Sequence, residues 1–262
     1  MRRGEIVTIT AGAGIGKSQV CREMANHMLN QEETIGYIAL EESNKRTGLG
    51  FMGLYLNRPL HLGNVEVEEE EFKEAFDHTL NTGRIYMYDH WGSLEGNNLL
   101  NKIRYMVTAC GCSFIILDHI SIVVSGIEEG DERRTIDNLM TKLRGLVEEV
   151  NCGLILVSHL KRPQGNKGHE DGAQTSMSQL RGSASIGQLS DIVIGCERDQ
   201  QGDDPDRTTV RVLKNRWTGE TGIACELDYD HKTGRLTEVP LDEIPFDEEE
   251  TDESWSGDSA VF

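Results

Sequence analysis

The stretch Ile6-Val7-Thr8-Ile9-Thr10-Ala11-Gly12-Ala13-Gly14-Ile15-Gly16-Lys17-Ser18 decides how this chain is read. Its first half is apolar and β-branched, as a buried strand requires. Its second half is a glycine-rich turn that ends in Lys-Ser. Such a turn aims successive backbone N–H groups at one point, a concavity suited to a polyphosphate. Lys17 is placed to reach the β- and γ-phosphates, and the Ser18 hydroxyl to hold Mg²⁺. The pattern G-x-x-x-x-G-K-[ST] is met except at its first position, where Ala11 stands for glycine. The following SQVCREMANHMLNQ reads as a helix whose N-terminus faces the same ligand. Ala11, Gly12, Ala13, Gly14, Ile15, Gly16, Lys17 and Ser18 are therefore the candidate nucleotide-binding residues, and a nucleoside triphosphate is the expected ligand.

Working outward, strand-like apolar runs recur at 6–11, 35–40, 84–89, 113–118, 153–158, 191–196, 208–213 and 223–229. Helix-like segments at 17–30, 67–80, 97–109 and 132–150 alternate with the early ones. Continuous apolar strands separated by helices predict an α/β fold, a mainly parallel twisted sheet covered on both faces. The last strands lie close together around Asp230–Arg235, which predicts an antiparallel hairpin at a sheet edge. From Leu241 the apolar periodicity stops, and residues 241–262 carry nine acids and no Lys or Arg. The expected organisation is one domain over 1–240 and a disordered acidic tail over 241–262 that ends in Phe262.

The totals exclude several classes. No apolar run approaches the roughly 18 residues that span a bilayer, so no membrane partner is expected. No secretory leader is visible, which predicts a cytoplasmic protein. The six cysteines form no CxxC pair and lie in or beside apolar runs, so buried reduced thiols are expected rather than a zinc site or disulfides. The net charge is −19, which argues against a generic nucleic-acid coat, although the tail's nine acids account for almost half of it. Local charge decides where DNA would sit.

Four later elements specify what a triphosphate would be used for. The strand Ile38-Ala39-Leu40 ends in Glu41 and Glu42. A carboxylate at that tip can polarise an attacking water. Glu41 is the candidate, while Glu42 fits better as an acid at a helix start. Phe114-Ile-Ile-Leu-Asp118-His119 is an apolar strand ending in Asp118, the candidate Mg²⁺ ligand beside Ser18. Leu154-Ile-Leu-Val-Ser158-His159 ends in a histidine placed to sense the γ-phosphate. Val210-Arg-Val-Leu-Lys214-Asn-Arg216-Trp217-Thr-Gly219 sets two cations after a strand. Arg216 is the candidate for completing a neighbouring subunit's site, and Lys214 for a further nucleotide contact.

Taken in order, the phosphate loop, LEES (40–43), LDH (117–119), SHLK (158–161) and KNRWTG (214–219) resemble the RecA-like core of hexameric, DnaB-like replicative helicases. Within that family the similarity is to the helicase domain of primase-helicases from short-tailed phages of the T-seven group. Leu117–Ser125, Asp131–Arg133, Ile136–Lys142 and Gln179–Ser183 carry it as well, so it spans essentially the whole chain. The resemblance implies a RecA-like fold and an NTP-driven helicase that forms a ring, a hexamer, on single-stranded DNA. It implies Mg²⁺ with ATP or dTTP as substrate, and a base sandwiched between Arg198 and Tyr229. It also implies two channel loops, one with Lys161, Arg162 and Lys167, the other with Arg181, Gly182 and Ser183. Glycine and serine amides with a few cations suit sequence-blind phosphate tracking. His159 and Lys161 are two positions apart, which predicts coupling between nucleotide state and DNA grip. The acidic tail with its terminal Phe262 implies docking to a DNA polymerase, all within the cytoplasm of a bacterial host. The family's linker helix and primase domain precede the point where this sequence begins, so primer synthesis is not expected of this segment. Two rival readings remain open: a RecA-like recombinase or regulatory ATPase, and an unassembled helicase fragment acting as a polymerase-binding module.

Overall fold

A computed structural model describes residues 1–63, 65–89, 96–121, 129–161, 163, 167–182 and 184–240. Arg162, Ser183 and the whole tail with Phe262 lie outside them.

Among the described residues nine strands form one sheet in the order β3-β2-β4-β5-β1-β6-β7-β8-β9. β1 (Ile6–Ala11), β2 (Ile35–Ala39), β3 (Ile85–Asp89), β4 (Phe114–Asp118), β5 (Gly153–His159) and β6 (Ile192–Glu197) run parallel. β7 (Arg207–Asn215), β8 (Gly222–Asp230) and β9 (Arg235–Glu238) continue the sheet antiparallel, with β8 and β9 as the edge hairpin. β1, β2 and β4 are buried along their whole length, which is why each reads as an unbroken apolar run. Strand alternation then divides the core into two layers. Ile6, Leu154 and Leu156 face the layer packed by Leu99, Ile103, Leu143 and Val147. These belong to α4 (Gly96–Thr108) and α5 (Glu129–Val150). Ile9, Ile155 and Val157 face the layer packed by Val20, Cys21, Ala25 and Phe51. These belong to α1 (Lys17–Asn30) and α2 (Asn44–Leu56). Four cysteines are buried and Cys110 and Cys225 partly so, all as free thiols.

α2 was not among the expected helices. Its sequence, NKRTGLGFMGLYL, holds three glycines, each costing about 1 kcal/mol of helix propensity. Packing overrides that cost. A Cβ on Gly50 would overlap the Arg22 guanidinium, and one on Gly53 the Arg58 carbonyl oxygen. The glycines let α2 approach its neighbours closely, and Ser43 caps it by accepting from the Arg46 N–H at 3.3 Å. α3 (Glu69–Thr79) covers α2 from outside, and a short α6 (Ala184–Leu189) leads into β6.

Candidate nucleotide site and adjoining loops

The phosphate loop leaves the C-terminal end of β1, mid-sheet, and feeds α1 through Gly14 (φ 75°) and Gly16 (φ 103°). Both need the left-handed region that a side chain disfavours. No side chain caps α1, so its first N–H groups face the loop's concavity. Lys17 is 7% exposed, and its ammonium donates to the carbonyls of Gly12 (2.7 Å) and Ala11 (3.3 Å). Burial lowers its pKa, against the opposing pull of the Asp118 and Glu41 charges. A phosphate anion beside it would favour the charged form. The Ser18 hydroxyl donates to Asp118 Oδ2 at 2.6 Å, which joins loop and β4 tip. Burial raises the Asp118 pKa although Ser18 and nearby cationic groups pull it down. A hydroxyl and a carboxylate meeting here are hard oxygen donors that fit Mg²⁺.

Glu41 and Glu42 separate cleanly. Glu42 accepts from Arg22 Nη2 (3.0 Å) and Thr47 Oγ1 (2.8 Å), a structural clasp at the start of α2. Glu41 is half-exposed and faces the β4 and β5 tips. His119 Nε2 donates to its Oε1 at 2.7 Å, and His159 Nε2 lies 3.9 Å away. The hydrogen bond from His119, with the His159 imidazole close by, holds the Glu41 carboxyl far below the usual carboxylate range. The two imidazoles pack edge to face at 4.1 Å. Glu41, His119 and His159 bring three metal-type donors within 4.8 Å of one another. However, the Ser121 N–H donates to His119 Nδ1 at 3.2 Å. That leaves the ring hydrogen on Nε2, the atom a metal would need, and suits His119 to orienting Glu41. The sequence pattern places His119 within LDH but assigns it no role.

A cavity of about 500 Å³ is lined by Gly14, Gly16, Ser18, Glu41, Asp118, Arg198 and Tyr229. The glycine-rich loop, the candidate metal-ligand pair and the candidate base-contact pair thus share one space. Arg198 donates to the Pro205 carbonyl (2.5 Å) and to Asp206 Oδ1 (2.7 Å), and the Tyr229 ring meets His231 edge to face at 5.0 Å. Arg22, Arg46 and His61 also line this cavity and were not foreseen. The α2 segment that carries Arg46 toward it was not expected to be helical.

Lys214 and Arg216 do not line it. The Lys214 ammonium donates to the carbonyls of Gly187 (2.7 Å), Gln188 (3.1 Å) and Ser190 (2.7 Å) beyond α6. Arg216 Nη1 pairs with Asp191 Oδ1 at 2.9 Å. Both sit by the start of β6, at the end of the sheet opposite the phosphate loop.

The two candidate DNA loops, read separately in sequence, are stitched together. Leu160 and Leu180 form an antiparallel bridge. The Lys161 N–H donates to the Gln179 carbonyl at 2.7 Å, and the Arg181 N–H to the His159 carbonyl at 2.9 Å. Lys161, Arg181 and Gly182 line a cavity of about 520 Å³ with Arg133. Lys167 and Arg181 line another of about 840 Å³ with His159 and Gly12.

The family model of the DnaB-like helicase C terminal domain matches residues 1–238. The chain is 40% identical over 240 residues to a protein described as DNA helicase/primase of Enterobacteria phage T3, covering 90% of this chain. It spans 42% of that relative's length. Among solved structures, one described as an ATPase domain superposes with TM-score 0.76 at 18% identity, covering 92% of this chain and 86% of that one. A DnaB-like replicative helicase, solved in work on its interactions with primase, gives 0.74 at 18% identity, covering 91% and 58%. A KaiC-like protein of Pyrococcus horikoshii gives 0.63 at 16% identity, covering 91% and 90%. At these identities the solved structures establish the fold alone, a RecA-like α/β architecture.

Proposed function

Because the chain belongs to the family of DnaB-like helicase C-terminal domains, we propose that it is a replicative helicase motor that hydrolyses ATP or dTTP to move along single-stranded DNA. Lys17 and the loop amides bind the triphosphate, and Ser18 with Asp118 holds Mg²⁺. Bound there, the ion neutralises charge on the β- and γ-phosphates. Glu41, oriented by His119, accepts the proton of the attacking water. His159 senses the γ-phosphate, and Arg198 and Tyr229 take the base. Arg216, with Lys214 beside it, serves the nucleotide of the next subunit in a ring, a hexamer as the family resemblance implies.

One observation carries the motor reading. His159, 3.9 Å from Glu41, is the residue whose carbonyl accepts from the Arg181 N–H. The hydrolytic carboxylate and both candidate DNA loops therefore meet at one strand end, so a change at the γ-phosphate is felt by the cations at Lys161 and Arg181. The acidic tail with Phe262 is assigned to polymerase docking, and the cytoplasm of an infected bacterium is the site of action.

The test is NTP hydrolysis with and without long single-stranded DNA, alongside light scattering for mass. Stimulation by DNA with a ring-sized mass is expected. A chain that hydrolyses NTP equally well without DNA is a regulatory ATPase instead. A monomer without turnover that still binds polymerase through residues 241–262 is a docking fragment.

A further inference from the structure

Residues 168–173, directly after the first DNA loop's Lys167, have no role in the reading above, yet they pack against the phosphate loop. His169 is 8% exposed. Its Cβ and ring press on Gly12 so closely that a Cβ at Gly12 would overlap them. On its other side, His169 Nε2 lies 2.9 Å from the Lys161 carbonyl oxygen. A carbonyl only accepts, so Nε2 carries the hydrogen and donates it. Nδ1 is buried without a hydrogen-bond partner among the described residues.

A second connection joins the same turn to the same loop. The Gln200 N–H donates to the Glu170 carbonyl at 2.8 Å, while Gln200 Nε2 donates to the Gly14 carbonyl at 3.1 Å. The turn is stiff. The Gly168 N–H donates to Asp171 Oδ2 (2.9 Å), the Ala173 N–H to the Gly168 carbonyl (3.1 Å), and Asp171 bridges to Asp199. This rigid piece therefore touches the phosphate loop twice, at Gly12 and through Gln200 at Gly14, and the DNA loop once, at Lys161. The Gly12 carbonyl also accepts from the Lys17 ammonium at 2.7 Å. A triphosphate that draws Lys17 away takes a donor from the peptide His169 leans on.

We propose that His169 is a positioning residue that transmits the conformation of the phosphate loop to the DNA-gripping segment at Lys161. The inference rests on the motor reading and adds to it a path that bypasses His159. His159 responds to the γ-phosphate itself. His169 responds to the shape of the loop at Gly12, so it can report occupancy by a diphosphate as well. Contact on both sides is what lets it act: packed cores transmit displacement because they have no slack to absorb it.

The experiment compares the full chain with His169→Ala and His169→Gln. The readouts are kcat and KM for NTP, each without DNA and at saturating single-stranded DNA. Alanine removes the wedge and the donor, and glutamine restores an N–H within reach of the Lys161 carbonyl. For His169→Ala the ratio of DNA-stimulated to basal kcat is expected to fall about fivefold or more, the scale of a coupling between two sites, with KM changing less. His169→Gln is expected to recover most of the ratio. A ratio for His169→Ala within about twofold of the parent overturns the proposal, as does an equal fall in basal and stimulated rates, since damage to the fold lowers both. If the parent itself shows no stimulation, the motor reading falls and the link falls with it. If the parent is stimulated and the alanine variant equally so, the link alone is wrong.

Discussion

Removing Arg216 tells its two assignments, structural clasp and trans-acting catalytic group, apart. Within one chain Arg216 pairs with Asp191 Oδ1 at 2.9 Å and donates to the Gln188 carbonyl at 3.2 Å. Asp191 is 1% exposed but does not depend on Arg216. Its Oδ2 accepts from the Ile6 N–H at 2.9 Å and from Arg144 Nη1 at 2.6 Å. The Arg216 side chain is 43% exposed. Such a pair is worth about 0–1 kcal/mol. Asp191→Ala does something different, because it strands the Arg144 guanidinium and orphans a buried amide. Breaking a buried pair costs about 3–5 kcal/mol. Arg144 keeps Glu148 (2.8 Å) and the Gly4 carbonyl (2.9 Å), so about 3 kcal/mol, the lower end, is expected. At about 2–4 °C per kcal/mol for a chain of this size, Arg216→Ala should melt within about 4 °C of the parent and Asp191→Ala about 6–12 °C lower. Thermal unfolding followed by circular dichroism reads both.

Hydrolysis should respond in the opposite order. Removing an arginine supplied in trans lowers kcat by about 10³–10⁵-fold, so a nearly native fold should carry a nearly dead enzyme. Mixing Arg216→Ala with Glu41→Gln subunits should restore part of the rate. The intact Glu41 of the first then meets the intact Arg216 of the second at some interfaces. If Arg216→Ala melts as low as Asp191→Ala and its activity loss follows its unfolding, Arg216 is a clasp and its catalytic assignment is wrong. Absence of recovery at every mixing ratio refutes the trans assignment separately.

Three further outcomes are expected. The folded-state pKa of Glu41 is depressed from 4.5, so its contribution to stability is complete above about pH 4.5 and is lost as pH falls further. The urea midpoint gap between parent and Glu41→Gln should therefore hold from about pH 7 to 5 and shrink below that; a constant gap would show that His119 does not hold an ionised Glu41. Burial raises the Cys21 pKa well above its ordinary value and pushes Cys196 up to about 12, so iodoacetamide at about pH 8 should spare both in the folded chain, as read by mass spectrometry. Gly50→Ala should destabilise by about 1–3 kcal/mol through the overlap with Arg22, although helix propensity alone predicts a gain of about 1 kcal/mol. A stabilised variant would mean that α2 does not pack against Arg22 as described.

What was legible in the sequence was whatever repeats locally. β1, β2 and β4 are buried on both faces, so each showed as an apolar run, and the strand-tip positions of Glu41, Asp118 and His159 could be read from where those runs end. α2 was missed because its glycines serve close approaches, Gly48 to Leu80, Gly50 to Arg22 and Gly53 to the Arg58 backbone, that no local pattern announces. His119 was passed over for a similar reason. The orienting part proposed for it depends on a hydrogen bond from the Ser121 N–H that fixes its tautomer, and on Glu41 arriving from another strand. Likewise, 161 and 181 read as two loops because the bridge between Leu160 and Leu180 joins segments twenty residues apart.

Arg216 marks where reading one chain ends in principle. The carboxylate of its partner Asp191 also accepts from the Ile6 N–H, at the start of β1, whereas the phosphate loop begins after Ala11, at the other end of that strand. Parallel strands rise about 3.3 Å per residue, so five steps set the two about 16 Å apart, well beyond the reach of an arginine side chain. Within this chain no rotamer carries Arg216 to the nucleotide cavity, and β1, whose length separates them, is buried throughout. The residue therefore either serves another copy or does no chemistry. Under the proposed motor reading the same geometry would hold at every interface: each subunit would offer its nucleotide cavity at one end of the sheet and Arg216 at the other. A head-to-tail ring would pair those ends at every interface, whereas a two-fold dimer, which sets like against like, would leave the sites unpaired.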